Sequence, residues 1–354
     1  MRKLTREVQI GSVWIGGQHK IAIQSMTNTK TSDTTATIAQ IHALERAGCD
    51  IVRVAVLNED DAFAIRPIVQ AIHIPLVADI HFDYRLALIS LESGIHKLRI
   101  NPGNIGSLDR IRQVVDVCQI KNVPIRIGVN MGSLDHDIHQ QYGRTAIALV
   151  KSAEKHVRIL EELSFHNIVL SLKASDVPMT IEAYQLASQK FPYPLHIGVT
   201  EAGTLYAGSI KSAVGLGILL NQGIGDTLRV SLTDDPIQEI VAAQEILSSL
   251  SMFWKPTLIS CPTCGRTQYD MIPIAKEIEA FLQTLPRIPL KVAVMGCVVN
   301  GPGEAKDADI GVAGGKEEAI LFKKGEAIRK IPQAQIVAVL KEEILRYINK
   351  TVKL

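Results

Sequence analysis

Three cysteines in the last third of the chain lie in two turn-forming segments. Cys261 and Cys264 form a C-x-x-C pair, Cys297 follows after the segment 265–296, and Glu304 comes soon after it. Prolines and glycines in both segments keep the backbone out of regular structure, which lets the side chains converge. Because thiolates are soft ligands, this pattern predicts a metal or iron–sulfur centre.

The spacing leaves three interpretations of these cysteines open. A C-x-x-C pair also occurs in redox disulfides and in structural zinc sites. The chain lacks the second C-x-x-C pair of a zinc ribbon and the cysteine run of a two-cluster ferredoxin. An iron–sulfur cluster is therefore the first interpretation, ahead of zinc and then a disulfide. Cys49 and Cys118 lie in apolar segments and are expected to be buried small hydrophobic residues.

The composition argues against several broad classes of protein. Five cysteines, an odd number, and no apolar segment directly after Met1 do not fit a secreted, disulfide-linked protein, so we expect a cytoplasmic location. No apolar run reaches the roughly 18 residues of a membrane span. A net charge of +2 on 354 residues does not fit a general nucleic-acid binder.

Short apolar segments alternate with helical patterns through the first part of the chain. The predicted strands are 20–24, 51–56, 75–80, 97–100, 124–129, 167–172, 195–199 and 227–232, each followed by a predicted helix. Asp33 and Asp235 are predicted N-caps, with Pro236 at the first helical position. Eight such units in about 250 residues predict a (β/α)8 TIM barrel over residues 1–257, entered through a hairpin near Gly11.

The alternation stops near Trp254, and residues 258–354 show a different pattern. We predict a helix at 269–285, strands at 290–295 and 309–313, a hairpin-like segment at 319–322 and a charged amphipathic helix at 335–347. With the cysteine segments, these elements predict a small α+β domain. The predicted fold class is therefore α/β, a TIM barrel followed by an iron–sulfur domain.

Cationic side chains occur in the predicted barrel strands, at Arg53, Arg99, Arg126, Lys173 and Arg229. An unpaired ion costs several kcal/mol to bury, so charges in barrel strands are informative. Strand ends face the active-site mouth of a barrel, and a ring of cations there predicts a phosphate or diphosphate ligand. The alternative is that each cation pairs with a local carboxylate such as Asp50, Asp79 or Asp226.

Polar side chains occur at the same strand ends, at Asp79, His81, Asn101, Asn130 and Glu201. Glu201 is a candidate general acid. The alternative is a glutamate near a helix N-terminus that the helix dipole stabilises. His196 lies inside a predicted strand and is expected to be a hydrogen-bonded core histidine.

Seven motifs together indicate a family. They are Gln24-Ser25-Met26-Thr27, Ala78-Asp79-Ile80-His81-Phe82, Arg99-Ile100-Asn101-Pro102-Gly103-Asn104, Gly128-Val129-Asn130, Gly198-Val199-Thr200-Glu201-Ala202-Gly203, and the two cysteine segments Ser260–Arg266 and Met295–Glu304. With them, nearly the whole chain resembles the bacterial 4-hydroxy-3-methylbut-2-enyl diphosphate synthases of non-mevalonate isoprenoid synthesis. The chain departs from the family at none of these motifs.

The resemblance implies a TIM barrel and a C-terminal domain with a 4Fe-4S cluster, bound by Cys261, Cys264, Cys297 and Glu304. Without the resemblance, Glu304 would be a solvated loop residue with Asp307 and Asp309 as rivals. The implied reaction is the two-electron reductive ring opening and dehydroxylation of 2-C-methyl-D-erythritol 2,4-cyclodiphosphate. The implied electron donor is flavodoxin or ferredoxin, and the implied assembly is a homodimer in which one subunit's cluster domain caps the other's barrel.

The resemblance also implies roles for the barrel residues. Diphosphate binding falls to Arg53, Arg99, Arg126 and Lys173, its orientation to His81, Asn101 and Asn130, and protonation of the leaving hydroxyl to Glu201. Two alternatives from other classes are a zinc-stapled barrel that acts on a phosphorylated metabolite without redox chemistry, and a non-catalytic iron–sulfur carrier or sensor. The barrel cations argue against the carrier. The barrel also resembles dihydropteroate synthases in general layout.

Overall fold

The computed structural model describes residues 2–297, 303 and 305–351. The chain divides into two units, Met1–Met252 and Phe253–Leu354. The assignment of residues 1–257 to substrate binding and 258–354 to cluster binding stays a prediction.

Eight parallel strands form the interior of the first unit. They are β3 (Ala22–Met26), β4 (Ile51–Ala55), β5 (Leu76–Asp79), β6 (Lys97–Ile100), β7 (Ile125–Asn130), β8 (Ile168–Lys173), β9 (His196–Ile197) and β10 (Thr227–Leu228). Their order is β8-β7-β6-β5-β4-β3-β10-β9. A parallel bridge between Leu170 and Leu195 brings the two ends of this sheet together. The predicted (β/α)8 barrel is confirmed.

Nine helices among the described residues of this unit cover the outside of the barrel. They are α1 (Thr34–Ala47), α2 (Glu59–Ala71), α3 (Tyr84–Glu92), α4 (Leu108–Lys121), α5 (His136–Tyr142), α6 (Ala146–Glu162), α7 (Val177–Lys190), α8 (Leu205–Asn221) and α9 (Pro236–Ser249). The predicted N-caps are confirmed, because the Asp33 carboxylate accepts from the Ala36 N–H and that of Asp235 from the Ile237 N–H. The sequence did not predict the short helix α5.

An antiparallel hairpin, β1 (Val8–Ile10) and β2 (Val13–Ile15), precedes the barrel as predicted. Its buried side chains pack against Ala22, Ile51 and Val169, which lie at the amino ends of barrel strands. The hairpin therefore covers the amino-terminal end of the barrel and leaves the carboxyl ends of the strands for a site.

Among its described residues, the second unit contains a five-stranded mixed sheet and two long helices. The elements are β11 (Thr257–Ser260), α10 (Met271–Gln283), β12 (Lys291–Met295), β13 (Ile310–Gly314), β14 (Glu318–Lys323), β15 (Glu326–Pro332) and α11 (Ile336–Thr351). Strands β11, β12 and β13 are parallel, whereas β14 and β15 are antiparallel additions. This confirms the α+β prediction. The sequence missed β11 and β15, and the segment 319–322 is part of strand β14.

Candidate functional site

A cavity of about 250 Å³ lies at the carboxyl ends of the barrel strands. Every barrel strand except β3 contributes a side chain, either within the strand or shortly after it. The lining residues are Arg53, Asp79, His81, Arg99, Arg126, Gly128, Asn130, Ser171, Lys173, Thr200, Arg229 and Ser231. Residues two apart on β7 and β8 enter the cavity because side chains alternate across a strand.

The structure brings most of the predicted substrate-binding residues into this cavity. Arg53, His81, Arg99, Arg126, Asn130 and Lys173 all line it. Asn101 and Glu201 are not lining residues.

Asp79, the last residue of β5, is the carboxylate at the centre of the cations. Its oxygens lie 3.0 Å from Arg99 Nη1, 3.8 Å from Arg53 Nε and 3.6 Å from His81 Nε2. Burial alone would raise the pKa of Asp79, but Arg53, His81 and Arg99 together hold this pKa well below its usual range. Asp79 is therefore ionised and fixes two guanidinium groups in place.

Gly128 provides the space that Arg99 occupies. Arg99 Nη2 donates to the Gly128 carbonyl at 2.8 Å, and a Cβ at residue 128 would overlap the guanidinium. The buried Asn101 side chain accepts from the Gly128 N–H at 2.9 Å. Asn101 thus holds strand β7 in position through the lining residue Gly128.

Arg229 has a carboxylate partner that the sequence analysis missed. Its Nε and Nη2 atoms donate to Glu239 at 3.1 and 3.0 Å, and Ser25 donates to the same carboxylate at 2.9 Å. The local-pairing alternative is therefore correct for Arg229, with Glu239 of α9 as the partner. Glu239 is 3% exposed, so its carboxylate is buried where α9 packs on the barrel.

Arg126 and Lys173 are buried cations of the cavity that have no carboxylate partner among the described residues. Arg126 is 2% exposed, and its Nε and Nη1 atoms have no hydrogen-bond partner. Lys173 forms no hydrogen bond or ion pair with the described residues. Burial, and then the neighbouring cations, lower the pKa of both groups well below their usual values. A bound anion would satisfy these groups and favour their charged forms.

A third buried cation, Lys97, lies at the amino end of β6 and was also missed. Its Nζ donates to the Gln24 side chain at 3.2 Å, and the Gln24 amide nitrogen has no partner. His196 Nδ1 lies 2.7 Å from Thr227 Oγ1, as expected for a hydrogen-bonded core histidine. Its Nε2 atom is buried without a partner. Unsatisfied polar atoms thus lie within the barrel interior.

The buried cations outnumber the buried carboxylates around the cavity. Arg99, Arg126 and Lys173 are buried, and Arg53 and Arg229 are half-buried, whereas the carboxylates among the described residues are Asp79 and Glu239. Such an excess of buried positive charge is costly in an empty cavity and favourable around a multiply charged anion. The arrangement fits a phosphate or diphosphate group.

Glu201 lies directly after the cavity residue Thr200, with an exposed side chain. Its φ of 52° is in the left-handed region, which is uncommon for a residue with a side chain. Hydrogen bonds from the Thr200 N–H to the Ala174 carbonyl and from the Thr233 N–H to the Gly203 carbonyl hold this turn. The turn places Glu201 next to the cavity, outside its lining.

The cysteine segments follow two neighbouring parallel strands of the second unit. Cys261 follows β11 and Cys297 lies two residues after β12, so both occupy one edge of the sheet. The Gly296 N–H donates to Cys261 Sγ at 3.1 Å. At Cys264, hydrogen bonding from the Arg266 backbone lowers the thiol pKa. Both features favour thiolates, the form that binds metals. Glu304 lies outside the described residues.

The three cysteine sulfurs are not drawn together as the ligands of a single zinc ion would be. Tetrahedral zinc with Zn–S bonds of about 2.3 Å brings its sulfurs to about 3.8 Å from one another. The three cysteines do not form a group whose Sγ atoms all lie within 4.8 Å of one another. A cluster, in which each cysteine binds a different iron, needs a wider spacing. Cys49 and Cys118 are buried, as predicted.

The chain matches two family models, the GcpE TIM-barrel domain over residues 5–244 and the GcpE protein C-terminal domain over residues 257–346. It is 57% identical over 350 residues to the 4-hydroxy-3-methylbut-2-en-1-yl diphosphate synthase (flavodoxin) of Clostridium perfringens, covering 98% of this chain and 99% of that protein. The enzyme of the same name from Listeria monocytogenes is 56% identical over 345 residues, covering 97% and 94%. The predicted family resemblance is confirmed.

A solved structure is similar to the barrel. Dihydropteroate synthase from Stenotrophomonas maltophilia matches with a TM-score of 0.50 and 14% identity, covering 70% of this chain and 98% of that protein. At this identity the likeness shows the fold alone. Within the described residues, no helix has the length and hydropathy needed to cross a membrane.

Proposed function

The chain belongs to the GcpE family, and we propose that it converts 2-C-methyl-D-erythritol 2,4-cyclodiphosphate into 4-hydroxy-3-methylbut-2-enyl diphosphate by two-electron reductive ring opening and dehydroxylation. The observation that carries this proposal is the excess of buried cations over carboxylates around the barrel cavity. A diphosphate supplies the negative charge that these groups lack.

Two kinds of cation bind the diphosphate in this proposal. Arg53 and Arg99 are held in place by Asp79 and present fixed donors to the phosphate oxygens. Arg126 and Lys173 have no competing partner and gain the most from the anion. His81 and Asn130 line the same cavity and orient the substrate. Asn101 contributes through its hydrogen bond to Gly128, as a positioning residue.

Glu201 is the proposed general acid. Its protonated carboxyl would give a proton to the departing hydroxyl, so that the oxygen leaves as water. The turn at Thr200 keeps this side chain beside the cavity without burying it among the cations. This position suits proton donation, because a carboxylate buried beside Arg126 would be held in its ionised form.

The proposed cofactor is a 4Fe-4S cluster with Cys261, Cys264, Cys297 and Glu304 as ligands. The N–H donor on Cys261 favours the thiolate that any metal–sulfur centre needs, and the wider sulfur spacing fits a cluster. When bound, the cluster supplies the two electrons. The relatives are named for flavodoxin, which we propose as the donor to this chain, with ferredoxin as the alternative.

We also propose a homodimer, in which the cluster domain of one subunit completes the barrel site of the other. Exposed apolar side chains repeat every four residues along α8, at Tyr206, Ile210, Val214 and Ile218. Residues at this spacing lie on one helix face. Large exposed apolar surfaces mark protein contacts, and a second copy of the chain fits this face.

Metal analysis and turnover test the proposal together. Protein purified without oxygen is expected to contain about four irons and four acid-labile sulfides per chain, with a visible band that dithionite bleaches. The loaded protein should convert the cyclodiphosphate when reduced flavodoxin is supplied. If the protein contains zinc and no sulfide even after cluster reconstitution, the redox mechanism is wrong. The protein would then be a phosphate-binding barrel with a structural zinc site. If the protein holds a full cluster but does not convert the cyclodiphosphate, the non-catalytic iron–sulfur carrier is the remaining function.

A further inference from the structure

Two histidines and a glutamate meet on the outside of the barrel. His42 and Glu45 lie in the last turns of α1, and His73 lies in the loop between α2 and β5. Barrel helices run antiparallel to the strands, so this place is at the amino-terminal end of the strands, opposite the cavity. The group therefore has no part in the diphosphate site.

One carboxylate oxygen connects the two imidazole rings. Glu45 Oε2 lies 2.8 Å from His42 Nδ1 and 3.3 Å from His73 Nδ1. The other oxygen, Oε1, accepts from the backbone N–H groups of His73 at 2.6 Å and Ile74 at 3.2 Å. Because the backbone fixes one oxygen, the other is held between the rings in a set orientation.

We propose that His42 Nδ1, Glu45 Oε2 and His73 Nδ1 bind a divalent transition-metal ion, with zinc as the best match. Imidazole nitrogen and carboxylate oxygen are zinc ligands, and bonds of about 2.1 Å in a tetrahedron bring ligand atoms to about 3.4 Å from one another. The observed separations of 2.8 and 3.3 Å are close to this value. The three ligand atoms all lie within 4.8 Å of one another.

The surroundings leave room for the rest of the coordination shell. The His73 side chain is 83% exposed, so water can reach the fourth position. Glu45 is 14% exposed, which shields the ligand that is already fixed by the backbone. Among the described residues, no other group of three histidine, cysteine or acidic side chains meets the same distance criterion. The bound ion would link α1 to the loop before β5 and stabilise the folded barrel.

Zinc titration of untagged protein with its iron–sulfur cluster intact tests the site. Calorimetry is expected to show one zinc ion per chain and a zinc-dependent rise in the melting temperature, because the ion binds the folded state. His42→Gln and His73→Gln should each weaken binding by more than about tenfold and remove the rise. The visible absorption of the cluster, followed throughout, should stay constant.

A matched control separates this site from general binding to surface histidines. His19→Gln breaks the pair between His19 Nε2 and Glu7, at 3.1 Å, which lacks a third ligand. This variant should bind zinc as the unmodified protein does. Equal affinity in His73→Gln, or no zinc binding to the unmodified protein, would overturn the proposal. Zinc that is lost with Cys261→Ser but retained in His73→Gln would belong to the cysteine segments and would also overturn it.

Discussion

Arg229 and Glu239 form a two-point ion pair where α9 packs on the barrel, with nitrogen-to-oxygen distances of 3.1 and 3.0 Å. The same carboxylate accepts from Ser25 and from the Leu232 N–H, so it joins the end of β3 to the segment after β10. Glu239→Gln should leave the Arg229 charge without compensation and lower the free energy of unfolding by about 3–5 kcal/mol. Urea denaturation measures this change.

Glu182 provides the control for that substitution. It lies on α7 with an exposed side chain. Glu182→Gln should change the free energy of unfolding by less than about 0.5 kcal/mol. A Glu239→Gln protein as stable as this control would show that the buried pair does not support the barrel.

Arg126→Met is expected to separate ligand binding from stability. Methionine fills much of the same buried space and removes a charge that has two unpaired nitrogens and lies among other cations. The free energy of unfolding should stay the same or rise. Inorganic pyrophosphate should bind about 10- to 100-fold more weakly, the effect of losing a charge-assisted hydrogen bond of about 1.5–3 kcal/mol. Calorimetry and urea denaturation measure the two effects.

The exposed Arg112 of α4 is the matched control, since Arg112→Met also removes one guanidinium. Its pyrophosphate affinity should equal that of the unmodified protein. Equal affinity in both variants would remove Arg126 from the binding site.

The barrel could be predicted from the sequence because each buried parallel strand is a short apolar segment between turn formers. The second sheet was harder. Strand β15 has five consecutive exposed residues, 326–330, so it lacks the apolar alternation that identifies a strand. The sequence located the cations correctly but did not identify Glu239 as a partner. That pair depends on how α9 packs on the barrel, which no local pattern encodes.

Lys97 is a second residue whose environment could not be predicted from the sequence. The segment 97–100 was recognised as a strand, but its first residue looks like an ordinary solvent-exposed lysine at a strand end. Only the closed barrel reveals that this side chain points towards Gln24. Glu201 shows a third case. The sequence reveals its carboxylate as a candidate acid, but it does not reveal the left-handed backbone conformation of this residue.

The backbone at Glu201 predicts opposite effects on stability and on activity. Left-handed geometry costs a residue with a Cβ about 1 kcal/mol, and glycine avoids this cost. Glu201→Gly should therefore be more stable to urea than Glu201→Ala by about that amount. Turnover of the cyclodiphosphate should fall by about 10²–10⁴ in Glu201→Gln, Glu201→Ala and Glu201→Gly if the carboxyl is the acid. Full turnover by Glu201→Gln with an intact cluster would rule out this role.

Gly314 is expected to control the shape of the cysteine edge. A Cβ at this position would overlap the ring of Tyr269, whose hydroxyl donates to the Met295 carbonyl at 3.0 Å. Gly314→Ala should displace this ring and destabilise the second unit by about 1–3 kcal/mol. Because Met295 lies two residues before Cys297, iron and sulfide retained after anaerobic gel filtration should fall as well.

Gly265 tests whether the effect is specific. A Cβ at this position meets no atom within 4 Å, although the residue follows Cys264 directly. Gly265→Ala should retain the cluster. Equal iron and sulfide contents in the two variants would mean that the Tyr269 contact does not support the cysteine segments.

The apolar face of α8 predicts which surface holds the proposed homodimer together. Val214→Glu places a charge at the centre of the stripe, where Val214 is 50% exposed, and burying that charge against a second copy would cost several kcal/mol. Sedimentation should show a shift from dimer towards monomer, and turnover should fall if the site is shared between subunits. Ile120→Glu changes an equally apolar residue, 83% exposed on α4, and should leave the dimer intact. A Val214→Glu protein that stays dimeric would assign the interface to another surface.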